Sequence, residues 1–327
     1  MAEITLGLAT SRSPMLSMPS SLWSHIGARD TKSTRLLNRE GQSITYDQLL
    51  SSADPRIAEL ATQPVWDRAY EATQRALETL KKRLVEAQPD VVLFIGDDED
   101  EIIHADNRPA LMVFTGSECP IVPRAIADPN DLVAKESNWQ WGSASGTYPV
   151  ATDLSLQLLK SLINEDFDVA HSTGFNSDKG MSHGFGFLYE RLMPRPVVPI
   201  VPIILNVHWP PNQPTPRRFY KIGQAARRAV EQWPTDLRVA VIATGGLSVG
   251  RLDEELDRRL LEALKAHDVD ALEGLPAGWR QRSTGEVHAW IAAAGAAEYL
   301  NMDIVEYVPG YRSPGGTGCG LAFATWS

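Results

Sequence analysis

An α/β fold, a single domain with a central mostly parallel or mixed sheet covered by helices, is the architecture this chain predicts. Strand-length apolar runs alternate with segments of helical period along most of its length. Two of those runs, residues 91–95 and 200–207, are almost continuously apolar, as strands buried on both faces are. The 327 residues, 43% hydrophobic, suffice for a large core, and no linker, repeat or low-complexity tract divides them, so residues 1–327 read as one domain.

The elements follow in order. Residues 4–9 read as a first strand, and Pro14, Pro19 and the polar residues 20–42 as a long surface loop of the kind that is usually functional. From 66 to 87 apolar residues recur at Trp66, Ala69, Tyr70, Ala76, Leu77, Leu80 and Leu84, with Thr73 the one polar member, which predicts a helix of about six turns. Residues 91–95 form a strand ending in Gly96-Asp97-Asp98, which delivers acids at its carboxyl end, and residues 111–114 are a candidate neighbour. Helices are expected at 153–164, 217–232, 253–267 and 285–300, the third supported by Glu254/Arg258 and Glu255/Arg259 at i,i+4 spacing. Strands are expected at 167–171, 200–207, 238–244, 304–308 and 321–325.

Composition narrows the function classes. A net charge of -10 argues against nucleic acid or an anionic membrane surface as a partner, since both reward clustered Lys and Arg. The longest apolar run, 196–207, is broken by Pro199 and Pro202 and falls short of the ~20 residues of a membrane helix. Two cysteines, Cys119 and Cys319, argue against a disulfide framework, and with a start lacking a basic then apolar stretch they suggest a cytoplasmic setting.

Short motifs then recur in order. They are Gly7-Leu8-Ala9-Thr10-Ser11-Arg12-Ser13-Pro14-Met15-Leu16, Gly96-Asp97-Asp98 with Asp106-Asn107-Arg108-Pro109-Ala110, and Ser182-His183-Gly184-Phe185-Gly186-Phe187. After these come residues 206–218 (NVHWPPNQPTPRR), Thr244-Gly245-Gly246-Leu247-Ser248 with Asp253-Glu254-Glu255-Leu256-Asp257, Gly285-Glu286, and Tyr311-Arg312-Ser313-Pro314 to Cys319. Together they resemble the class III extradiol ring-cleavage dioxygenases, the family of the protocatechuate 4,5-dioxygenase β subunit and the gallate and 3-O-methylgallate dioxygenases. The resemblance implies a hydroxylated aromatic substrate and an Fe(II) held by two His and one Glu. It also implies an oligomer, either of this chain alone or with a related subunit.

The chain departs from the family pattern at the metal. Arg12 stands at the first iron histidine, Glu99 or Asp100 at the second, and Val249 at a histidine credited with acid/base work. Glu286 matches the glutamate ligand, and Trp290 and Ala293 at four and seven residues on put it on the inward face of its helix. A buried glutamate without a cation is costly, so Arg12 is expected to bridge Glu286 and Glu99 and replace the metal by fixed charge. The expectation is therefore no metal; were one retained, Glu286 and Glu99 would hold it. His183 matches a family pocket histidine and joins Arg12, Glu99 and Glu286 as a catalytic candidate, while His208, Arg312 and Asp98 are substrate-binding candidates.

Structural readings stand beside these. Glu286 fits a capping box with Ser283, His183 and His208 fit ordinary hydrogen-bonded histidines, and Arg12 facing outward would mark a decayed site. The acids from Asp97 to Glu101 fit a solvated turn, and Arg217, Arg218 and Arg312 fit surface pairs. His288, two residues beyond Glu286, points elsewhere on a helix. Three functions remain open: an enzyme acting on a hydroxylated aromatic compound by metal-independent acid/base chemistry, a non-catalytic subunit of a heteromeric dioxygenase, and an aromatic-ligand binding protein.

Overall fold

Eleven strands form among the described residues: β1 (Glu3–Thr10), β2 (Val91–Asp97), β3 (Leu111–Phe114), β4 (Glu118–Ile121), β5 (Gly146–Pro149), β6 (Ala170–Ser172), β7 (Ile200–Leu205), β8 (Arg238–Thr244), β9 (Val249–Arg251), β10 (Met302–Tyr311) and β11 (Thr317–Trp326). The computed structural model describes residues 1–175, 179–193, 195–276 and 285–327. Nine strands make one sheet in the order β10-β11-β1-β8-β2-β7-β3-β6, with β9 on β11. β1, β8, β2 and β7 run parallel at its centre, and β3 and β11 pair antiparallel to β7 and β1. The domain is thus a mixed sheet flanked by helices, as the alternation predicts.

Strand periodicity divides the core. Along β2, Val91, Leu93 and Ile95 face one apolar layer and Val92 and Phe94 the other. The first layer holds Thr152–Asn164, Pro216–Glu231, Glu254–Lys265 and Val287–Ala296; the second holds Gln63–Ala87 and His183–Arg191. The Gln63–Ala87 helix buries Trp66, Thr73, Ala76, Leu77, Leu80 and Leu84, close to the expected stripe, and ends where Gln88 turns left-handed at φ 45°. The polar Thr73 is tolerated because its hydroxyl donates to the Tyr70 carbonyl at 2.7 Å.

Two local expectations are corrected. The segment 20–42 is not all loop: a 3-10 turn, Ser20–Leu22, leads into the helix Trp23–Asp30, which buries Trp23, Ile26, Gly27 and Asp30 on one face. The short helical stripe was hidden by its polar neighbours. On the Glu254–Lys265 helix, Glu254 and Arg258 pair at 2.6 Å, but Glu255 takes Arg39 at 2.8 Å, because the folded 20–42 segment brings a cation closer than Arg259.

Val287–Ala296 is buried all round, which suits a helix enclosed by others, and its alanines give it good intrinsic propensity. It lies tight against Pro216–Glu231: a β-carbon at Gly223 would sit 1.9 Å from the Ala292 carbonyl oxygen, and one at Gly295 2.1 Å from that of Tyr220. Gly223→Ala is therefore expected to lower unfolding free energy by about 1–3 kcal/mol, the cost of overpacking, despite the propensity gained. Urea denaturation of the variant checks this, and a midpoint at or above wild type would refute the close approach.

Candidate active site

The centre forms where the parallel strands end, the place where open α/β sheets put their ligands. Arg12 follows β1, Asp97 closes β2, His208 lies three residues past β7, and Gly245 and Gly246 follow β8. Each side chain is brought in by a separate strand, so residues far apart in sequence converge.

Arg12 is the hub. Its side chain is 2% exposed, and Nη2 lies 3.0 Å from Asp97 Oδ2, 3.5 Å from Glu99 Oε1 and 3.6 Å from Glu286 Oε1. The direct hydrogen bond thus goes to Asp97, with the two glutamates at ion-pair range. Burial opposes the guanidinium charge, but the charges of Asp97, Glu286 and Glu99 outweigh it and keep Arg12 protonated. Asp97 Oδ2 also lies 2.6 Å from His208 Nε2. Burial would raise the Asp97 carboxyl, yet Arg12 and then His208 hold it well below the usual range.

A glycine turn fixes Glu286. Gly246 N donates to Glu286 Oε2 at 2.7 Å, and Trp290 Nε1 donates to the Gly245 carbonyl at 3.0 Å. Gly245 has φ 151°, and a β-carbon there would meet Glu286 Cβ at 2.6 Å, so the turn needs glycine twice over. Burial raises the Glu286 carboxyl, with Arg12 opposing and Glu99 and Asp97 adding to the rise. Burial opposes protonation of His208 too, but its hydrogen bond to Asp97 and the charges of Asp97, Glu99 and Glu286 push it up to about 9.

His183 opens the His183–Arg191 helix on the other side of Arg12. Its Nδ1 lies 2.8 Å from Glu101 Oε2, its backbone N–H donates to the same oxygen at 3.1 Å, and its Nε2 is 3.6 Å from Glu99 Oε1. Burial and the Arg12 charge work against protonation of His183, and Glu101 and Glu99 overcome them to raise it. Glu101→Gln is expected to bring the imidazole down, since a neutral amide removes the largest favourable charge. Titration of the histidine ring by NMR checks this, with an unchanged midpoint counting against the pairing.

Arg12, Glu99, His183, His208 and Glu286 thus converge. Two proposed site residues do not. Asp98 turns into its own chain, accepting from Glu101 N at 2.9 Å, Ile102 N at 3.0 Å and Ile103 N at 3.3 Å, so its side chain caps the turn rather than facing a ligand. Arg312 is held by Asp30, at 2.5 Å through Nε and 3.0 Å through Nη2, and ties the end of β10 to the Trp23–Asp30 helix. Arg217 pairs with Asp270 at 2.5 Å, and Arg218 donates to the Asp166 carbonyl at 3.2 Å. His288 is 2.7 Å from the Gly285 carbonyl through Nδ1. Ser283, the proposed cap partner of Glu286, lies outside the described residues. Asp97 was missed as the key acid; its signal was its place as the last residue of the central strand, where alternation turns it inward.

Asp97, Glu99, His208 and Glu286 each bring a ligand atom within 4.8 Å of the others. Imidazole and carboxylate donors suit a first-row metal. The Arg12 guanidinium, however, already lies against three of the four, bringing a permanent positive charge where a cation would need those same oxygens. The set holds one imidazole and three carboxylates, where the resemblance implies two imidazoles and one carboxylate.

Comparison with known proteins agrees with the motif reading. A family model described as the catalytic LigB subunit of aromatic ring-opening dioxygenase matches residues 55–322. Gallate dioxygenase of Pseudomonas putida is 44% identical over 98 residues, 29% of this chain and 27% of that protein. A 2,3-dihydroxyphenylpropionate/2,3-dihydroxicinnamic acid 1,2-dioxygenase of Burkholderia vietnamiensis is 28% identical over 210 residues, 48% of this chain and 64% of that protein. The corresponding Azotobacter vinelandii protein is 34% identical over 115 residues, 35% of each chain. The matches thus span less than two thirds of each of these relatives. With the family model covering most of the chain, and the sheet and its carboxyl-end centre in place, this chain belongs to the family of the catalytic LigB subunit of aromatic ring-opening dioxygenases.

Proposed function

We propose that this chain binds and acts on a hydroxylated aromatic compound at a centre where fixed charge stands in for iron. The observation that carries this reading is Arg12 Nη2 within 3.0–3.6 Å of Asp97, Glu99 and Glu286. Two buried polar atoms there, Arg12 Nη1 and Asp97 Oδ1, have no hydrogen-bond partner in the protein. A hydroxyl group has the complementary chemistry for each, accepting from a guanidinium and donating to a carboxylate. Glu99, its side chain 37% exposed, is the member of the cluster open to solvent.

The chemistry these groups support is proton transfer. His183 and His208 are imidazoles held by carboxylates, and Glu286 is a carboxyl raised by burial, so the centre offers both acids and bases around neutral pH. Tautomerisation, hydrolysis or decarboxylation of a polyhydroxylated aromatic or dicarbonyl compound falls within their reach. A cytoplasmic protein is part of the same proposal; no helix among the described residues is long and apolar enough to cross a membrane.

Metal analysis of anaerobically purified protein, with oxygen uptake on protocatechuate, gallate and methylgallate, tests the reading. The expected result is no stoichiometric iron and no oxygen uptake, with binding of at least one of these compounds. Stoichiometric iron with oxygen consumption overturns it, and oxygen uptake gained only with an intact paralogue assigns the chain as a non-catalytic subunit.

A further inference from the structure

The turn after β8 serves two buried carboxylates. Gly246 N donates to Glu286 Oε2 at 2.7 Å, and Ser248 N donates to Asp257 Oδ1 at 2.8 Å. Between them Leu247 N donates to the Gly320 carbonyl of β11 at 3.2 Å. Three successive amides thus point to three different elements. Asp257 lies on the Glu254–Lys265 helix and is fully buried. The hydroxyls of Ser248 and of Tyr307 on β10 donate to its Oδ2 at 2.8 and 2.7 Å, so every donor that holds it is neutral. A β-carbon at Gly320 would meet the same oxygen at 2.1 Å, so the sheet leaves room there for the carboxyl group and for little else. Burial pushes that carboxyl up to about 7, and the hydrogen bonds of Tyr307 and Ser248 hold it back.

We propose that Asp257 is a positioning residue for Glu286, acting through the turn that the two carboxylates share. A buried N–H without an acceptor is costly, so a turn that loses Asp257 swings Ser248 toward another acceptor. Gly246 moves with it, because planar peptides turn as units and only Leu247 stands between. Glu286 feels this directly: Gly246 N is its one hydrogen-bond donor among the described residues, and Arg12 Nη2 stands farther off at 3.6 Å. The inference rests on Glu286 belonging to the centre proposed above, and it names the residue that holds it there from the far side of the turn.

Amide hydrogen exchange of the full chain, followed by NMR slightly above neutral pH, tests it. Val241, in the middle of β8, reports global opening in the same sample. In Asp257→Ala the Gly246 amide is expected to exchange about tenfold faster, relative to Val241, than in wild type, the size of one hydrogen bond to a charged group. Its proton resonance should also move toward the position it takes in Glu286→Gln. Asp257→Asn keeps an oxygen for Ser248 N and should recover part of the protection, and it carries the test if Asp257→Ala does not fold. Tyr307→Phe removes a donor from Asp257 without freeing the turn, so Gly246 should stay as in wild type. A Gly246 amide that speeds up no more than Val241 and keeps its resonance in the Asp257 variants gives Asp257 a structural role alone and overturns the proposal, as does an equal change in Tyr307→Phe. No ligand enters the measurement, so its failure leaves the aromatic reading standing, and iron with oxygen uptake would overturn that reading without touching this link.

Discussion

Arg12→Met is expected to lower unfolding free energy by about 3–5 kcal/mol, because it removes the cation from a buried cluster and leaves Asp97 and Glu286 without it. Packing alone does not account for such a loss, since methionine fills much of the arginine stem. Two further substitutions separate charge from volume. Arg12→Lys keeps a charge but presents it as a point donor, so it should recover part of the stability and not all of it. Arg12→His removes the fixed cation and adds an imidazole to Asp97, Glu99, His208 and Glu286, so this variant is expected to bind a divalent metal stoichiometrically where wild type does not. Chemical denaturation and metal titration read the two effects. A wild-type midpoint for Arg12→Met, or equal metal binding by wild type and Arg12→His, would show that the Arg12 charge does not hold the cluster together.

The second large effect is on pH. A histidine raised in the folded state contributes stability that is complete below its unfolded pKa of about 6.5 and is lost as pH rises through the folded value. For His208, pushed up to about 9, that window runs from about 6.5 to 9. The loss is on the order of 3 kcal/mol, undiminished by solvent because the side chain is 3% exposed. Glu286 acts in the same direction: its carboxyl is raised, so the folded state holds a proton that the unfolded chain gives up, and stability declines as pH climbs from the ordinary glutamate range. Asp97 is depressed, so its contribution is present above about pH 4 and is lost only on acidification. Stability measured across pH should therefore fall on the alkaline side, and His208→Gln should flatten the stretch between about pH 6.5 and 9. An unchanged slope in that variant would show that another group sets the decline.

The family and its layered architecture were legible in the chain. Continuous apolar runs marked β2 and β7 as central because a strand covered on both faces needs apolar side chains at both parities. The stripe from Trp66 to Leu84 marked a long helix for the matching reason at period 3.6. The Trp23–Asp30 helix escaped notice because two turns within a polar segment give too few repeats to stand out. For the centre, departures from the family pattern pointed to Arg12 and Glu99 and matches to it pointed to His183 and Glu286, whereas Asp98 and Arg312 were placed there by motif membership alone. Asp98 is consumed by three backbone N–H groups and Arg312 by Asp30, partners that no linear reading supplies.

The chain by itself determined which strands are buried and which family it joins, because these depend on local pattern and residue identity. Tertiary structure decided that Asp97, 85 residues from Arg12 and 111 from His208, is the acid both share. It also decided that Glu101 ties His183 to a neighbouring cleft. Those pairings arise where four parallel strands end side by side, and the order of strands across a sheet, which sets whose ends meet, is a property of the fold and not of any segment within it.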